Sequence, residues 1–311
     1  QWMVQYFQLP IDDARIYNYY ALHGACENGH LGLAQWLTQH FQLTATDARV
    51  DNNGALRVSC EHGHLNVAQW LTQTFQLTPV DARTDNNRIL GLSCIDGNLP
   101  VVQWLVEYFH LMPEDVRDND NEALYLSCQH GQLSIAKWLV EHFQLTSDDA
   151  RTNDNYILHW SCAGGHLPVV QWLTTHFQLT ANDIRDNWNQ TIQGSCVNGY
   201  LSVVQWVTQH FQLTTEDIRV NNNNALRICC VEGHLHVIQW LVQHFQLTIT
   251  DVQMEDNFVL RISCEKGYLP IVQWINEQFS LTATDARTDN NYALRRACRN
   301  GHFHVVKWLV H

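Results

Sequence analysis

The sequence predicts an all-α, or nearly all-α, solenoid of about nine stacked units, each 34 residues long. Ten tryptophans stand in one phase, from Trp2, Trp36 and Trp70 through to Trp274 and Trp308. Glycines keep the same period from Gly29 to Gly301, leucines from Leu9 to Leu281 and phenylalanines from Phe7 to Phe279, and no insertion interrupts it. With no linker and no low-complexity stretch, residues 1–311 read as one repeat array, cut within a unit at both ends.

The unit from Asn53 to Asn86 shows why each element is expected. Asn53 precedes Ala55, Leu56, Ser59 and Cys60, a spacing that suits a short helix buried on one side, with Asn53 as its N-cap. Gly63 ends that helix, since glycine enters the left-handed region cheaply. A second helix runs from about Leu65 to Phe75. Its apolar stripe is Val67, Ala68, Trp70, Leu71 and Phe75, which places the Trp and Phe of every unit in the core. Leu77-Thr78-Pro79-Val80-Asp81-Ala82-Arg83 then reads as a very short capped turn. Thr caps it, Pro suits the first helical position, and Asp meets the free N–H groups. Asn86-Asn87 turns the chain into the next unit. Helices this short are unstable alone in water, so each unit lays its apolar faces on its neighbours.

Charge and cysteine usage narrow the class. Eighteen basic residues against 31 acidic ones give a net charge of −13. That balance disfavours nucleic acid, which needs clustered Lys and Arg, and suits a basic or apolar protein partner. No window approaches the roughly 18 continuous apolar residues of a membrane span, so no membrane partner is expected. Nine of the ten cysteines, Cys26 through Cys298, follow the 34-residue period, and Cys229 alone stands off it. Equivalent positions one unit apart, at about the 8–10 Å of packed helices, lie beyond disulfide reach. All ten are therefore expected to be free thiols, which implies a reducing, intracellular and cytoplasmic setting.

Several patterns invite a chemical reading. Cys-x-x-x-His recurs at Cys26/His30, Cys60/His64, Cys162/His166, Cys230/His234 and Cys298/His302. A zinc site needs four converging ligands, and these pairs straddle the glycine that ends a helix. Cys is expected to fill a small buried slot while His serves the turn, with no metal and no cofactor. The 18 histidines fall mostly at repeated phases, such as His40, His142, His176, His210 and His244. No nucleophile comes with its own base, and no phosphate-cradling loop, HExxH or Walker signature occurs, so no enzyme is expected. An Asp-x-Arg phase runs from Asp13/Arg15 to Asp285/Arg287, with Gln253 the one departure. It reads as an orienting ladder whose pairs, taken as surface ion pairs, are worth at most about 1 kcal/mol each. Trp160 and Gly194 share a phase in adjacent units and suggest volume compensation across one interface.

Gly63-His64-Leu65-Asn66-Val67-Ala68-Gln69-Trp70-Leu71 resembles the second-helix signature of the ankyrin repeat, and Leu56-Arg57-Val58-Ser59-Cys60-Glu61-His62 resembles its first helix. The likeness recurs along the whole chain, in a 34-residue variant of a unit that is usually one residue shorter. Gly54-Ala55-Leu56-Arg57 stands where the family has Thr-Pro-Leu-His, and the segment of the family's β-hairpin reads instead as the capped turn. No hairpin is expected here. The resemblance implies a non-enzymatic array that binds a protein partner through a concave groove and the tips between units.

Binding residues are sought where the repeat varies. The phase after the first-helix leucine reads His23, Arg57, Gly91, Tyr125, His159, Gln193, Arg227, Arg261 and Arg295. A second variable phase reads Tyr20, Gly54, Arg88, Glu122, Tyr156, Gln190, Asn224, Phe258 and Tyr292. Tyr, Arg and Trp dominate interface energies, though variation is also what drift on a solvated face produces. The candidate partner-binding set is Tyr125, His130, Tyr156, His159, Trp188, Gln190, Gln193, Arg227 and Phe258. Trp188 stands in the polar turn where other units have Asn52, Asn86 or Asn222. It either centres an aromatic patch or folds over the adjacent turn. The alternative class is a structural element that stacks end to end. The first and last units lack the polar caps that arrays need, so further repeats or self-association through these ends are expected.

Overall fold

The computed structural model describes residues 20–185 and 188–310, and the side chains of all of these except 185 and 188–190. Trp2, Phe7, Leu9 and the Asp13/Arg15 pair fall outside the described residues. No strand occurs among the described residues, and every repeat is built from helices and turns, as the period predicts. Packing divides the chain into two units, 1–153 and 154–311. The first holds second helices at Leu31–His40, Leu65–Phe75, Leu99–Phe109 and Leu133–Phe143. The second holds them at Leu167–His176, Leu201–His210, Leu235–His244, Leu269–Phe279 and Phe303–Val310.

The segment at Thr78 is a helical turn, Pro79–Ala82, with no hairpin. Thr78 donates its backbone N–H and its hydroxyl to Asp81 Oδ2 at 2.7 and 3.0 Å. This capped turn recurs from Thr44 to Thr282, and where Met112 replaces Thr, only its backbone N–H reaches Asp115.

The residues that follow correct one expectation. Asn53 is not an N-cap. Asp51, Asn52 and Asn53 all have φ between 51° and 60° and form one turn of left-handed backbone ahead of the first helix. Asp85 to Asn87, Asn119 to Asn121, Asn221 to Asn223 and Asp289 to Asn291 repeat it. An ordinary L-residue loses about 1–2 kcal/mol in that conformation, whereas Asn and Asp tolerate it through local hydrogen bonds. Except at Asn291, the third Asn is buried, and its amide donates across to the next repeat. Asn53 Nδ2 reaches the Asp81 carbonyl at 3.1 Å, and Asn223 Nδ2 that of Asp251 at 3.2 Å. The side chain expected to cap its own helix ties two repeats together instead.

The glycine and histidine of the helix-ending turn also act between repeats. His64 Nε2 lies 3.0 Å from the Glu27 carbonyl, and His234 Nε2 lies 2.7 Å from that of Val197. The ring covers the preceding glycine so closely that a Cβ on Gly199 would lie 2.6 Å from His234 Nδ1. Glycine at this turn therefore serves a positive φ and a close approach together.

Second helices bury Val67, Ala68, Leu71 and Phe75 and most of their counterparts, but the tryptophans are only half-buried, a second correction. At 100° per residue, Trp70 falls roughly 130° from the centre of the buried arc, so Phe75 reaches the core and Trp70 does not. In six units the indole is covered by the ring four residues on. Trp206 stacks on His210 at 4.3 Å with 15° between planes.

The Asp-x-Arg phase is a ladder, and a more buried one than surface pairs imply. Arg49 Nε and Nη2 donate to Asp81 Oδ1 and Oδ2 at 2.6 and 3.1 Å. Arg83–Asp115 and Arg117–Asp149 repeat this in the first unit, and Arg219–Asp251 in the second. Gln253 keeps a single bond, 2.7 Å to Asp285 Oδ1. Burial alone would raise the Asp251 carboxyl. The hydrogen bond from Arg219, with those from the Thr248 backbone and hydroxyl, outweighs burial and holds it at about 2.

At Gly194 the nearest neighbour is Ala163. A Cβ built on the glycine would lie 2.6 Å from Ala163 Cβ and 3.1 Å from Ala163 Cα, so Ala163 occupies the space a side chain would need. The two first helices touch there, and Gly194→Leu is expected to destabilise the second unit by about 1–3 kcal/mol. Urea unfolding of the variant measures this, and an unchanged midpoint would show that the helices separate freely.

Candidate functional site

Within each unit the first helices of successive repeats run side by side, and in the second unit their variable residues meet with one stagger. In the second unit, Arg227 and Arg261 each meet the residue 31 positions on, one helical turn earlier in the next repeat. Arg227 lies over the Phe258 ring at 4.5 Å, and Arg261 over the Tyr292 ring at 4.8 Å. Carboxylates of the left-handed turns anchor these guanidiniums. Arg227 Nη2 pairs with Glu255 Oε2 at 3.0 Å and Arg261 Nη1 with Asp289 Oδ2 at 2.7 Å. The face thus presents Arg–aromatic pairs already held in place.

The candidate residues divide between the two units. Tyr125, half-buried, and His130, exposed, belong to the first. In the second, Tyr156 and His159 cluster on the helix Thr152–Ala163 with centroids 6.4 Å apart, and Trp160 packs against them at 5.7 and 5.2 Å. Gln193 is half-buried on the next first helix, and Arg227 and Phe258 touch, as described. Trp188 and Gln190 stand at the start of the helix Trp188–Asn198, and their side chains lie outside those described. Sequence reasoning passed over Trp160, Arg261 and Tyr292 as site residues. The last two share phases with Arg227 and Phe258, which was signal enough to find them.

The Cys-x-x-x-His pairs do not converge. Cys60 is fully buried, while His64 turns to the preceding repeat. Among the described residues no group of three or more His, Cys, Asp and Glu is placed to hold a metal. No described helix is long and apolar enough to cross a membrane. Burial pushes the Cys26 and Cys264 thiols up to about 12, and those of Cys60, Cys94, Cys162 and Cys230 are raised as well. All ten cysteines are free, and Cys298 is the one that is exposed. A thiol reagent is therefore expected to label Cys298 rapidly in the native chain and the other nine only on unfolding. Cys229 takes the place of the serine found at Ser195 and Ser263, with its Sγ 3.9 Å from the Cys196 carbonyl. A deficit of two thiols in the unfolded chain without reductant would overturn the free-thiol assignment and point to that pair.

A family model described as ankyrin repeats (3 copies) matches residues 75–154 and 226–311, together more than half of the chain. Comparison with curated proteins finds no match.

Proposed function

The chain belongs to the ankyrin-repeat family, whose arrays are generally protein-interaction scaffolds, and we propose that it is a non-enzymatic scaffold holding a protein partner on its first-helix face. One observation carries this reading. Residues that hold repeats together recur in nearly every unit, whereas the first-helix face changes from unit to unit and carries the Tyr156–His159–Trp160 cluster and the Arg227–Phe258 pair. Preformed aromatic and Arg groups lose little conformational entropy on binding and supply most interface energy.

A pull-down followed by affinity measurement tests the proposal. Tyr156→Ala and Phe258→Ala are each expected to weaken the captured partner by about 2 kcal/mol, roughly thirtyfold, while Gln73→Ala, exposed on a second helix, serves as the control. Equal affinity for all three variants, with folding intact, would move the binding surface elsewhere.

A further inference from the structure

The charge of the chain is unevenly placed. Residues 1–225 carry the whole excess of acid, whereas 226–311 hold eight basic and eight acidic residues, and 290–311 hold Arg295, Arg296, Arg299 and Lys307 with no acid. The basic side chains of the first helices are in register, with Arg227, Arg261 and Arg295 following one another at the repeat period. Arg261 and Arg296 both lie over the Tyr292 ring, at 4.8 and 5.0 Å. Arg295 donates only to the Asp289 carbonyl, at 3.3 Å, and forms no ion pair among the described residues. Arg299, one turn further along the same face and also exposed, has none either.

We infer that this part of the first-helix face takes an extended, acidic peptide segment whose carboxylates meet the Arg227–Arg261–Arg295 row. The inference rests on the protein-binding reading above and adds the chemistry of the partner. Glu255 and Asp289 fix the first two guanidiniums, and the rings beneath them hold each plane, so a partner meets oriented donors. Planar guanidinium groups suit carboxylates through paired hydrogen bonds. Spacing sets the register. Packed helices lie about 8–10 Å apart, and an extended polyproline-II segment advances about 3.1 Å per residue with about three residues per turn, so a carboxylate at every third residue keeps to one side and matches one arginine per repeat.

The test uses the full chain and a fluorescein-labelled Gly/Ser peptide with glutamate at every third position, followed by anisotropy. The peptide is expected to bind, to weaken as salt rises, and to lose about tenfold or more in affinity against Arg295→Gln/Arg299→Gln. Arg88→Gln, a basic residue on a first helix of the other unit, should leave the affinity unchanged. Equal binding of the same peptide with glutamine for glutamate would overturn the inference, as would indifference to the double substitution. Tighter binding of a single-stranded oligonucleotide of equal length would also overturn it, by assigning the row to phosphates of another polymer. The two readings fail separately. A captured partner that needs Phe258 while the glutamate peptide does not bind would sink this one alone. Peptide binding with a partner indifferent to Tyr156 and Phe258 would sink the broader one alone.

Discussion

Asp81→Ala is expected to cost the unit spanning 1–153 about 2–4 kcal/mol, well beyond a surface ion pair. The loss of a helix cap accounts for about 1 kcal/mol. The loss of charge-assisted bonds from Arg49 accounts for about 1.5–3 kcal/mol more, reduced because Arg49 keeps much of its contact with water. The asymmetry is visible in the side chains, with Asp81 8% exposed and Arg49 38%. Arg49→Gln should cost less than Asp81→Ala, since Gln253 already occupies one rung and keeps a bond to its aspartate. Urea unfolding of both variants measures the difference, and a deficit for Asp81→Ala no larger than that of Arg49→Gln would return the ladder to the orienting role the sequence suggests.

Acid should dismantle the same ladder. The folded state holds the carboxyls of Asp81, Asp115 and Asp149 below their ordinary range and that of Asp251 at about 2. An unfolded aspartate titrates near about 3.9, so between these values the unfolded chain binds more protons and stability rises with pH. The contribution is complete above the unfolded value and is lost as pH falls from about 4 towards 2. Unfolding curves at successive pH values should show the Asp81→Ala deficit shrinking through that window, and a constant deficit would contradict the linkage.

Much of this was legible from residue types alone. The period, the helix-ending glycine and the Thr-x-x-Asp box each carry their own chemistry, and Thr78, Asp81 and Gly63 occupy the roles their types suggest. What escaped was contact between repeats. Asn53 invites the role of cap because Asn caps helices, yet a run of three Asn or Asp residues is also what left-handed backbone tolerates best. That Arg can reach an adjacent repeat's Asp is legible in the Asp-x-Arg phase, but the pairs read as exposed ones, whereas the side chain of Asp81 is only 8% exposed where Arg49 of the preceding repeat meets it. The same limit applies to the site. Variable phases locate the face, but the stagger that sets Arg227 on Phe258 depends on how far one helix slides along the next, and single-residue spacing does not encode that.

Gly165→Ala is expected to destabilise the second unit by about 2–4 kcal/mol, from two separable causes. The backbone there has φ +77°, where a Cβ costs about 1–2 kcal/mol. The new methyl would also lie 2.7 Å from three atoms of the Tyr200 ring, which covers this turn from the next repeat. Displacing the ring adds a cost in the overpacking range of about 1–3 kcal/mol, at its low end because Tyr200 is partly exposed and can swing outward. A double-mutant cycle with Tyr200→Ala divides the two. Removing the ring should restore the clash component and leave the backbone component, so the double variant stays less stable than Tyr200→Ala by about 1–2 kcal/mol. Full additivity of the two substitutions would show that Tyr200 does not press on the turn. Complete rescue would show that the left-handed backbone there is free of strain and that glycine occurs at this phase only to make room for the neighbouring ring.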